Sequence, residues 1–294
     1  MRNLPLLFLF SFLFVACSPA AEPVTEADTA TKTSPRIVSL SGTLTELLFA
    51  LGQGDALVGV DVTSTYPAAT AELPKLGHVS KLNVEALLGL QPDLIFVDAA
   101  VTNNPALKTL ADAGVRVVYV PLRPTLDNAV QATATLAGHL DLPEASIATV
   151  KANLQRDSLA LAAALQGANT RPRVLFLYAR GAGQVLVAGT GTEAEAIIQL
   201  AGGTNAIQSF ADFKPLTPEA FVEAAPDVIL MFSSGLASLD GPAGLANIPG
   251  IAQTPAFQRK RIVAMDGQYL LGFGPRAAQA AAELAGQLHL PDPQ

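Results

Sequence analysis

Apolar and polar positions between residues 36 and 121 come in alternating blocks. Four short runs are dominated by Val, Ile and Leu: RIVSL (36–40), DALVGVD (55–61), PDLIFVD (92–98) and VRVVYVP (115–121). Their length and β-branched content predict buried strands. Between them, GTLTELLFALG (42–52), NVEALLGLQ (83–91) and PALKTLADAG (105–114) carry apolar residues at helical spacing. The first and third of these end on Gly, which suits a helix C-terminus. Alternation of nearly continuous apolar strands with helices predicts a parallel sheet covered by helices.

The pattern then changes. Residues 126–168 contain no strand signal; LDNAVQATATLAGHL (126–140) and PEASIATVKANLQRDSLALAAALQGA (143–168) are rich in Ala, Leu and Gln. The second predicts a helix of more than about 20 residues, long for a globular protein. RVLFLY (173–178) opens a second strand–helix series that repeats the first. NVEALLGLQPDLIFV (83–97) and TPEAFVEAAPDVILM (217–231) agree without a gap at Glu, Ala, Pro, Asp and Ile. TLTELLFALG (43–52) and TEAEAIIQLAGG (192–203) play like helical parts. The expected fold is α/β: two Rossmann-like lobes with parallel sheets, residues 35–125 and 171–294, joined by a linker at 126–170 that includes the single long α-helix. A ligand cleft is expected between the lobes, at the strand C-termini.

The N-terminus, MRNLPLLFLFSFLFVACSPA, has a positive residue, Arg2, ahead of an apolar run over residues 4–16. That run is shorter than the ~20 residues needed to span a bilayer. Residues 1–17 therefore read as a secretory signal, excluded from fold reasoning. Small residues precede Cys17, the chain's one cysteine, so Cys17 is expected to become the lipidated residue. Residues 18–34 are small and polar and predict a flexible tether, reaching ~55–60 Å when extended. The expected location is the periplasm or the outer face of the cytoplasmic membrane, with membrane contact through the lipid anchor alone.

Composition narrows the function. The chain has 294 residues, 15% of them charged, a formal net charge of −7 and no basic run, which argues against a nucleic-acid partner. No nucleophile–base set, paired catalytic acids or zinc spacing is present, and GTGTEAE (189–195) lacks the Lys-Ser/Thr ending of a P-loop. The pattern argues against an enzyme.

Two α/β lobes, one connecting helix, a lipoprotein leader and paired E-x6-P-D segments resemble the substrate-binding proteins of ABC importers for metal chelates, haem and cobalamin. The likeness covers nearly all of residues 35–290. Within that family, SLSGTLTELLFALGQGDALVGVDVTSTYP, LPKLGHVSKL, VAGTGTEAEAIIQLAGGTNA and LGFGPR look most like the haem-binding branch. The resemblance implies a protein that binds haem between its lobes and hands it to a permease homodimer, whose partner ATPase subunits hydrolyse ATP. Cobalamin or a ferric siderophore is the alternative cargo. Rivals from other classes are a lipoprotein enzyme on an α/β scaffold and a periplasmic adaptor without a small ligand.

The resemblance also implies roles. In haem-binding relatives the residue after Gly in the LP-x-x-G loop is commonly a Tyr that binds the iron. Here it is His78, a departure that keeps the chemistry, since imidazole is a competent haem ligand; as a loop residue it is otherwise solvated. Tyr66 in TSTYP is the second candidate ligand. Relatives that bind no iron share this Tyr-Pro, which favours packing or stacking. Arg180, in ARGAG (179–183), and Lys81 are candidates for the haem propionates, because Arg pairs bidentately with carboxylates. Exposed backbone N–H groups of the ARGAG turn would assist. Glu85 and Glu219, at equivalent points of the repeat, are expected to dock on arginines of the permease; failing that, they are helix-start charges favoured by the helix dipole. His139 and His289 are expected to be solvated and Arg276 to serve structure.

Overall fold

The computed structural model describes residues 34–290 other than residue 182, and Pro35–Gln294 forms one unit. Cys17, the leader and the tether up to residue 33 lie outside the described residues. In chain order the first half runs β1 (Ile37–Ser39), α1 (Gly42–Ala50), β2 (Leu57–Val60), α2 (Val84–Gly89), β3 (Leu94–Asp98), α3 (Pro105–Asp112) and β4 (Arg116–Val120). Then follow α4 (Asn128–His139) and α5 (Ala145–Ala164), a helix of 20 residues. The second half runs β5 (Arg173–Ala179), β6 (Val185–Ala188), α6 (Glu193–Leu200), β7 (Thr204–Asn205), β8 (Phe213–Lys214), α7 (Pro218–Ala224) and β9 (Val228–Phe232). It ends with α8 (Ser233–Ser238), α9 (Pro242–Leu245), α10 (Pro255–Gln258), β10 (Ile262–Met265), α11 (Gly267–Leu271) and α12 (Ala277–Leu288).

Among the described residues the strands form two sheets. The first is parallel in the order β2-β1-β3-β4, with Ile37 registered to both Leu57 and Leu94. The central strands β1 and β3 are buried on both faces, and the period of two separates two cores. Ile37 and Phe96 join Leu44, Leu47 and Leu136 on one side. Val38, Ile95 and Val97 meet Leu107 and Leu110 on the other.

The second sheet corrects the expectation of a parallel sheet in each lobe. Its order is β10-β9-β5-β6-β8, and only β10, β9 and β5 are parallel along that path. β6 and β8 are antiparallel additions at one edge. The cause is the short 180–184 connection after β5. A parallel return needs a crossover of a dozen or more residues, whereas a short turn makes a hairpin. The rest of the second lobe follows the doubly wound plan. Packing of Ala129 (α4), Leu154 (α5) and Ala278 (α12) adds a small shared core along the connecting helix.

The sequence repeat has a structural counterpart that extends past its gapless span. Asn83 and Thr217 cap α2 and α7, accepting from the backbone N–H of Ala86 and Ala220. Each helix ends in a left-handed residue, Gln91 (φ 47°) and Ala225 (φ 40°), just before its Pro. The next residue, Asp93 or Asp227, accepts the backbone N–H of Arg36 (2.8 Å) or Arg173 (2.9 Å) at the head of the neighbouring strand. The same two arginines return their guanidinium groups to equivalent carbonyls, Leu90 and Ala224, each at 2.8 Å. A helix C-terminus leaves carbonyls without partners, and these arginines satisfy them. The E-x6-P-D pattern is therefore a structural clasp between helix end and strand start. Asp93→Ala and Asp227→Ala are each expected to cost about 1.5–3 kcal/mol, the worth of a hydrogen bond to a charged group. Because they sit in different sheets the costs should add, as urea denaturation of the single and double variants would measure.

Candidate functional site

The C-terminal edges of the two sheets face one another, which follows from the contacts made by the loops that leave them. After β1 the chain enters α1 at Gly42; after β10 it enters α11 at Gly267. Gln268 joins these loops. Its Nε2 donates to the Gly42 carbonyl (2.8 Å), while its Oε1 accepts from the backbone N–H groups of Thr65 (2.7 Å) and Tyr66 (3.0 Å) in the loop after β2. The Thr43 hydroxyl donates to the Gly272 carbonyl at 2.6 Å. Gly42 is required here, since a Cβ would lie 2.6 Å from the Thr63 carbonyl oxygen and 3.0 Å from Gln268.

The centre of this junction is an ion pair. Arg276, just before α12, donates from Nε to Glu46 Oε1 (2.7 Å) and from its NH2 group to Glu46 Oε2 (2.8 Å). Glu46 lies on the buried face of α1 and is 6% exposed. Burial lowers the Arg276 pKa, but the hydrogen bond and charge of Glu46 outweigh it, so the guanidinium is held more firmly charged than usual. The same guanidinium lies 3.6 Å from the centroid of the Tyr66 ring and 4.9 Å from that of Tyr269, close enough for cation–π attraction. Burial pushes the Tyr269 phenol up, and the charge and hydrogen bond of Glu283 push it further. It is therefore a poor source of phenolate.

His78 belongs to a different part of the same edge. Residues 74–77 run beside the end of β2, with Leu76 N–H donating to the Val60 carbonyl (2.9 Å) and Val62 N–H to that of Gly77 (3.1 Å). Asn104, the cap of α3, holds the Val79 carbonyl at 2.6 Å. Gly77 takes φ +82°, a region open to Gly at little cost. The chain is thus turned out at the sheet's C-terminal edge and pinned on both sides. His78 starts a short 3-10 turn, Val79–Lys81, and is exposed. Its Nδ1 lies 2.8 Å from Ser80 Oγ and 3.2 Å from Ser80 N. Among the described residues Nε2 makes no hydrogen bond. Lys81, exposed as well, closes the turn through its N–H to the His78 carbonyl at 2.8 Å.

The other candidate residues fall into place as follows. Tyr66 sits in the interlobe junction beneath Arg276. Its segment is tied to the His78 loop by Lys75 Nζ, which donates to the Ser64 carbonyl at 2.7 Å. Arg180 is exposed at the end of β5, on the C-terminal edge of the second sheet. The expectation of free backbone donors beside it needs correction. The N–H of Arg180 is used by the Gln184 carbonyl as the hairpin turn closes, and that of Gly181 by Ser238 Oγ at the end of α8. Glu85 and Glu219 are exposed in the first turns of α2 and α7, as the repeat implied.

His139 and His289 are half-buried, contrary to expectation. His139 pairs through Nδ1 with Arg116 at 2.7 Å, and His289 packs on Gly202, because each ends a helix that lies against a sheet. The GTGTEAE segment is closed to phosphate. Glu195 accepts the Gly191 N–H at 2.8 Å, and Thr192 accepts that of Glu195, so a carboxylate occupies the start of α6. A cavity of about 190 Å³ lies between the lobes at the switch of strand order, lined by Ser41, Thr43, Asp98, Arg123, Glu193 and Phe273 among others. Ordinary ligand pockets are ~300–1,000 Å³, and His78, Lys81 and Arg180 do not line this one. Among the described residues no group of three or more His, Cys, Asp or Glu is placed to hold a bare metal ion. Nor is any helix long and apolar enough to cross a membrane.

Residues 37–269 match the periplasmic binding protein family. The chain belongs to that family. The heme-binding protein RhuT from Roseiflexus sp. RS-1, in apo form, is 39% identical and superposes with a TM-score of 0.83, covering 87% of this chain and 98% of that one. The heme-binding protein BhuT, solved with two hemes, is also 39% identical, with a TM-score of 0.79 over 86% of this chain and 97% of that one. A cobalamin-binding protein of Halobacterium salinarum is 30% identical over 287 residues, 93% of this chain and 75% of its own. Each of these relatives is a binding protein.

Sequence reasoning missed Glu46, Gln268 and Ser80 as members of this edge. Glu46 left a usable signal, a carboxylate on the apolar stripe of α1 between Thr43, Leu44, Leu47 and Leu48. Gln268 and Ser80 left none, since their partners are set by tertiary structure and by one local turn. In this periplasmic binding protein, Arg276→Ala is expected to destabilise the fold by about 3 kcal/mol, because it leaves a buried carboxylate unpaired. Glu46→Gln combined with Arg276→Gln should cost clearly less than the sum of the single changes. A double-mutant cycle by chemical denaturation measures both.

Proposed function

We propose that this periplasmic binding protein is an extracytoplasmic haem carrier, anchored by lipid on Cys17, that delivers haem to an ABC importer. The observation that carries the reading is His78. An imidazole is presented on a turn pinned to the C-terminal edge of the first sheet, in the LPKLGH loop, with one ring nitrogen held by Ser80 and the other without a hydrogen-bond partner among the described residues. A neutral imidazole on a fixed turn is a competent axial ligand for haem iron. Tyr66 is less suited, because its ring is committed to Arg276. Tyr178 and Phe232, in edge contact at 6.1 Å near the ends of β5 and β9, offer aromatic surface at the opposite edge. Lys81 and Arg180 are the exposed cations for the propionates, one from each lobe. The heme-binding relatives at 39% identity support haem over other cargoes.

Cobalamin is the second reading, favoured by the cobalamin-binding relative at 30% identity. Hemin titration of the purified protein, followed by its Soret band, separates the two. His78→Ala is expected to weaken hemin binding at least tenfold, about 1.4 kcal/mol, and to change the spectrum. Tyr66→Phe should leave the iron spectrum as it is. Saturable cobalamin binding with no Soret change on hemin addition would overturn the haem reading.

Delivery is assigned to Glu85 and Glu219. Both are exposed, one stands on each lobe, and they hold equivalent places in the repeat. An acidic surface with two like contacts suits basic pockets on a permease homodimer, and salt should weaken such docking. Glu85→Ala with Glu219→Ala is expected to abolish stimulation of the importer's ATPase subunits while hemin binding persists, with a partial loss in each single variant. Reconstituted ATPase assays at two salt concentrations check this. Full stimulation by the folded double variant would return both residues to the role of helix-start charges.

A further inference from the structure

We infer that Leu88 and Val222 are the apolar halves of two matching docking contacts, one on each lobe, and that the partner they fit is a two-fold membrane protein whose paired pockets each set a cation among apolar side chains. This rests on the reading of Glu85 and Glu219 as docking residues and adds to it the chemistry of the surface around them.

Exposed apolar side chains scattered singly are ordinary on a protein surface. Leu88 is 38% exposed and Val222 45%, and either alone would carry nothing. Their placement sets them apart. Each stands three residues after its glutamate, Leu88 after Glu85 on α2 and Val222 after Glu219 on α7. Residues three apart on a helix are surface neighbours, with Cβ atoms ~5–6 Å apart. Both helices therefore show the same pair, a carboxylate and a branched apolar side chain, on one exposed face. The other large apolar side chains exposed among the described residues, Val62, Tyr66, Tyr119, Leu159 and Leu290, all lie outside the two repeated segments.

The rotation of each helix is fixed by the same contacts. Asn83 and Thr217 cap the starts. The residue before each apolar one is turned inward, Leu87 into one core and Phe221 into another. At the helix ends the carbonyls of Leu90 and Ala224 are held by Arg36 and Arg173. Leu88 and Val222 thus cannot turn in without undoing a cap, a buried anchor and a clasp. Neither joins any of the apolar cores, so their placement does nothing for the fold. Two like patches suit a partner made of two like halves. The carboxylate sets the sign of what each patch meets. The apolar neighbour sets its rim, because contacts that exclude water around an ion pair strengthen it. A cation on a bare polar surface would leave Leu88 and Val222 unused.

The test titrates the full protein and its variants into importer reconstituted in proteoliposomes, and reads the concentration for half-maximal ATPase stimulation over a range of salt. Leu88→Ser and Val222→Ser are each expected to raise it about threefold, and together about tenfold, by the same factor at every salt concentration. Glu85→Gln and Glu219→Gln should raise it too, but should also flatten its dependence on salt. Leu88→Met with Val222→Ile, which stays apolar, should match wild type, as should Leu159→Ser, an exposed apolar change elsewhere. Hemin titration and thermal melts should be unaltered in every variant. If the two Gln variants keep wild-type stimulation and salt dependence, the docking reading itself fails. If they behave as expected but the Ser variants match wild type, docking is by charge alone and Leu88 and Val222 have no part in it. An equal loss in Leu159→Ser, or weaker hemin binding or a lower melting temperature in the Ser variants, would also overturn the proposal. So would a wild-type dimer in sedimentation that the double Ser variant abolishes while stimulation persists, since the patches would then serve a second copy of the chain.

Discussion

The two lobes are held in one relation by a charge that cannot be left alone. Glu46 is buried on the inner face of α1, and its carboxylate is neutralised from the other half of the chain by Arg276. Taking an unpaired carboxylate out of water costs several kcal/mol. The pair must therefore form whenever both lobes are folded. Gln268 and Thr43 add hydrogen bonds to the same junction, and the Tyr66 ring is covered by the guanidinium. Hinging the lobes apart here would break several polar contacts at once and expose none of the large apolar cores, which lie within the lobes. A ligand shifts a two-state equilibrium only by its difference in affinity for the two states. If the proposed cargo enters beside this junction, it meets edges that are already set, and its binding groups would have to stand in place before it arrives.

That requirement explains the local structure at the edge. His78 is on a loop, where precision is normally poor, but the loop is treated as part of the sheet. Leu76 and Gly77 extend the ladder of β2, and Asn104 fixes Val79 from the far side. The left-handed Gly77 turns the chain out at the right residue. Arg180 and Lys81 are exposed and less constrained, so on the proposed reading their long side chains could adjust to carboxylates at the rim.

Much of this was legible in the chain. The strand runs, the long helix and the repeat around Glu85 and Glu219 depend on apolar period and on near-identical segments, which sequence carries directly. The mixed second sheet was less legible. Its parallel part follows from the strand–helix alternation, but β6 and β8 are a hairpin and a two-residue edge pairing, and VLVA at 185–188 was overshadowed by the glycines around it. The half-buried histidines were missed for a related reason: exposure at a helix end depends on which sheet the helix covers. The E-x6-P-D pattern was seen as a sequence likeness, whereas its Pro and Asp turn out to close the clasp with Arg36 and Arg173.

The clasp bears on the glutamates as well. Asp93 and Asp227 fix where β3 and β9 begin relative to β1 and β5, and the left-handed residue before each Pro fixes how far back the preceding helix starts. The distance from clasp to glutamate is the same number of residues in both lobes, eight from Glu85 to Asp93 and eight from Glu219 to Asp227. Two helices of like length, ended by like geometry, set their first turns at like heights above their sheets. The junction through Arg276 and Glu46 then fixes one sheet against the other. On the docking reading proposed above, equivalent exposed carboxylates on two lobes joined in this way would suit a bivalent contact, since the second site gains from the first only when both can be engaged together.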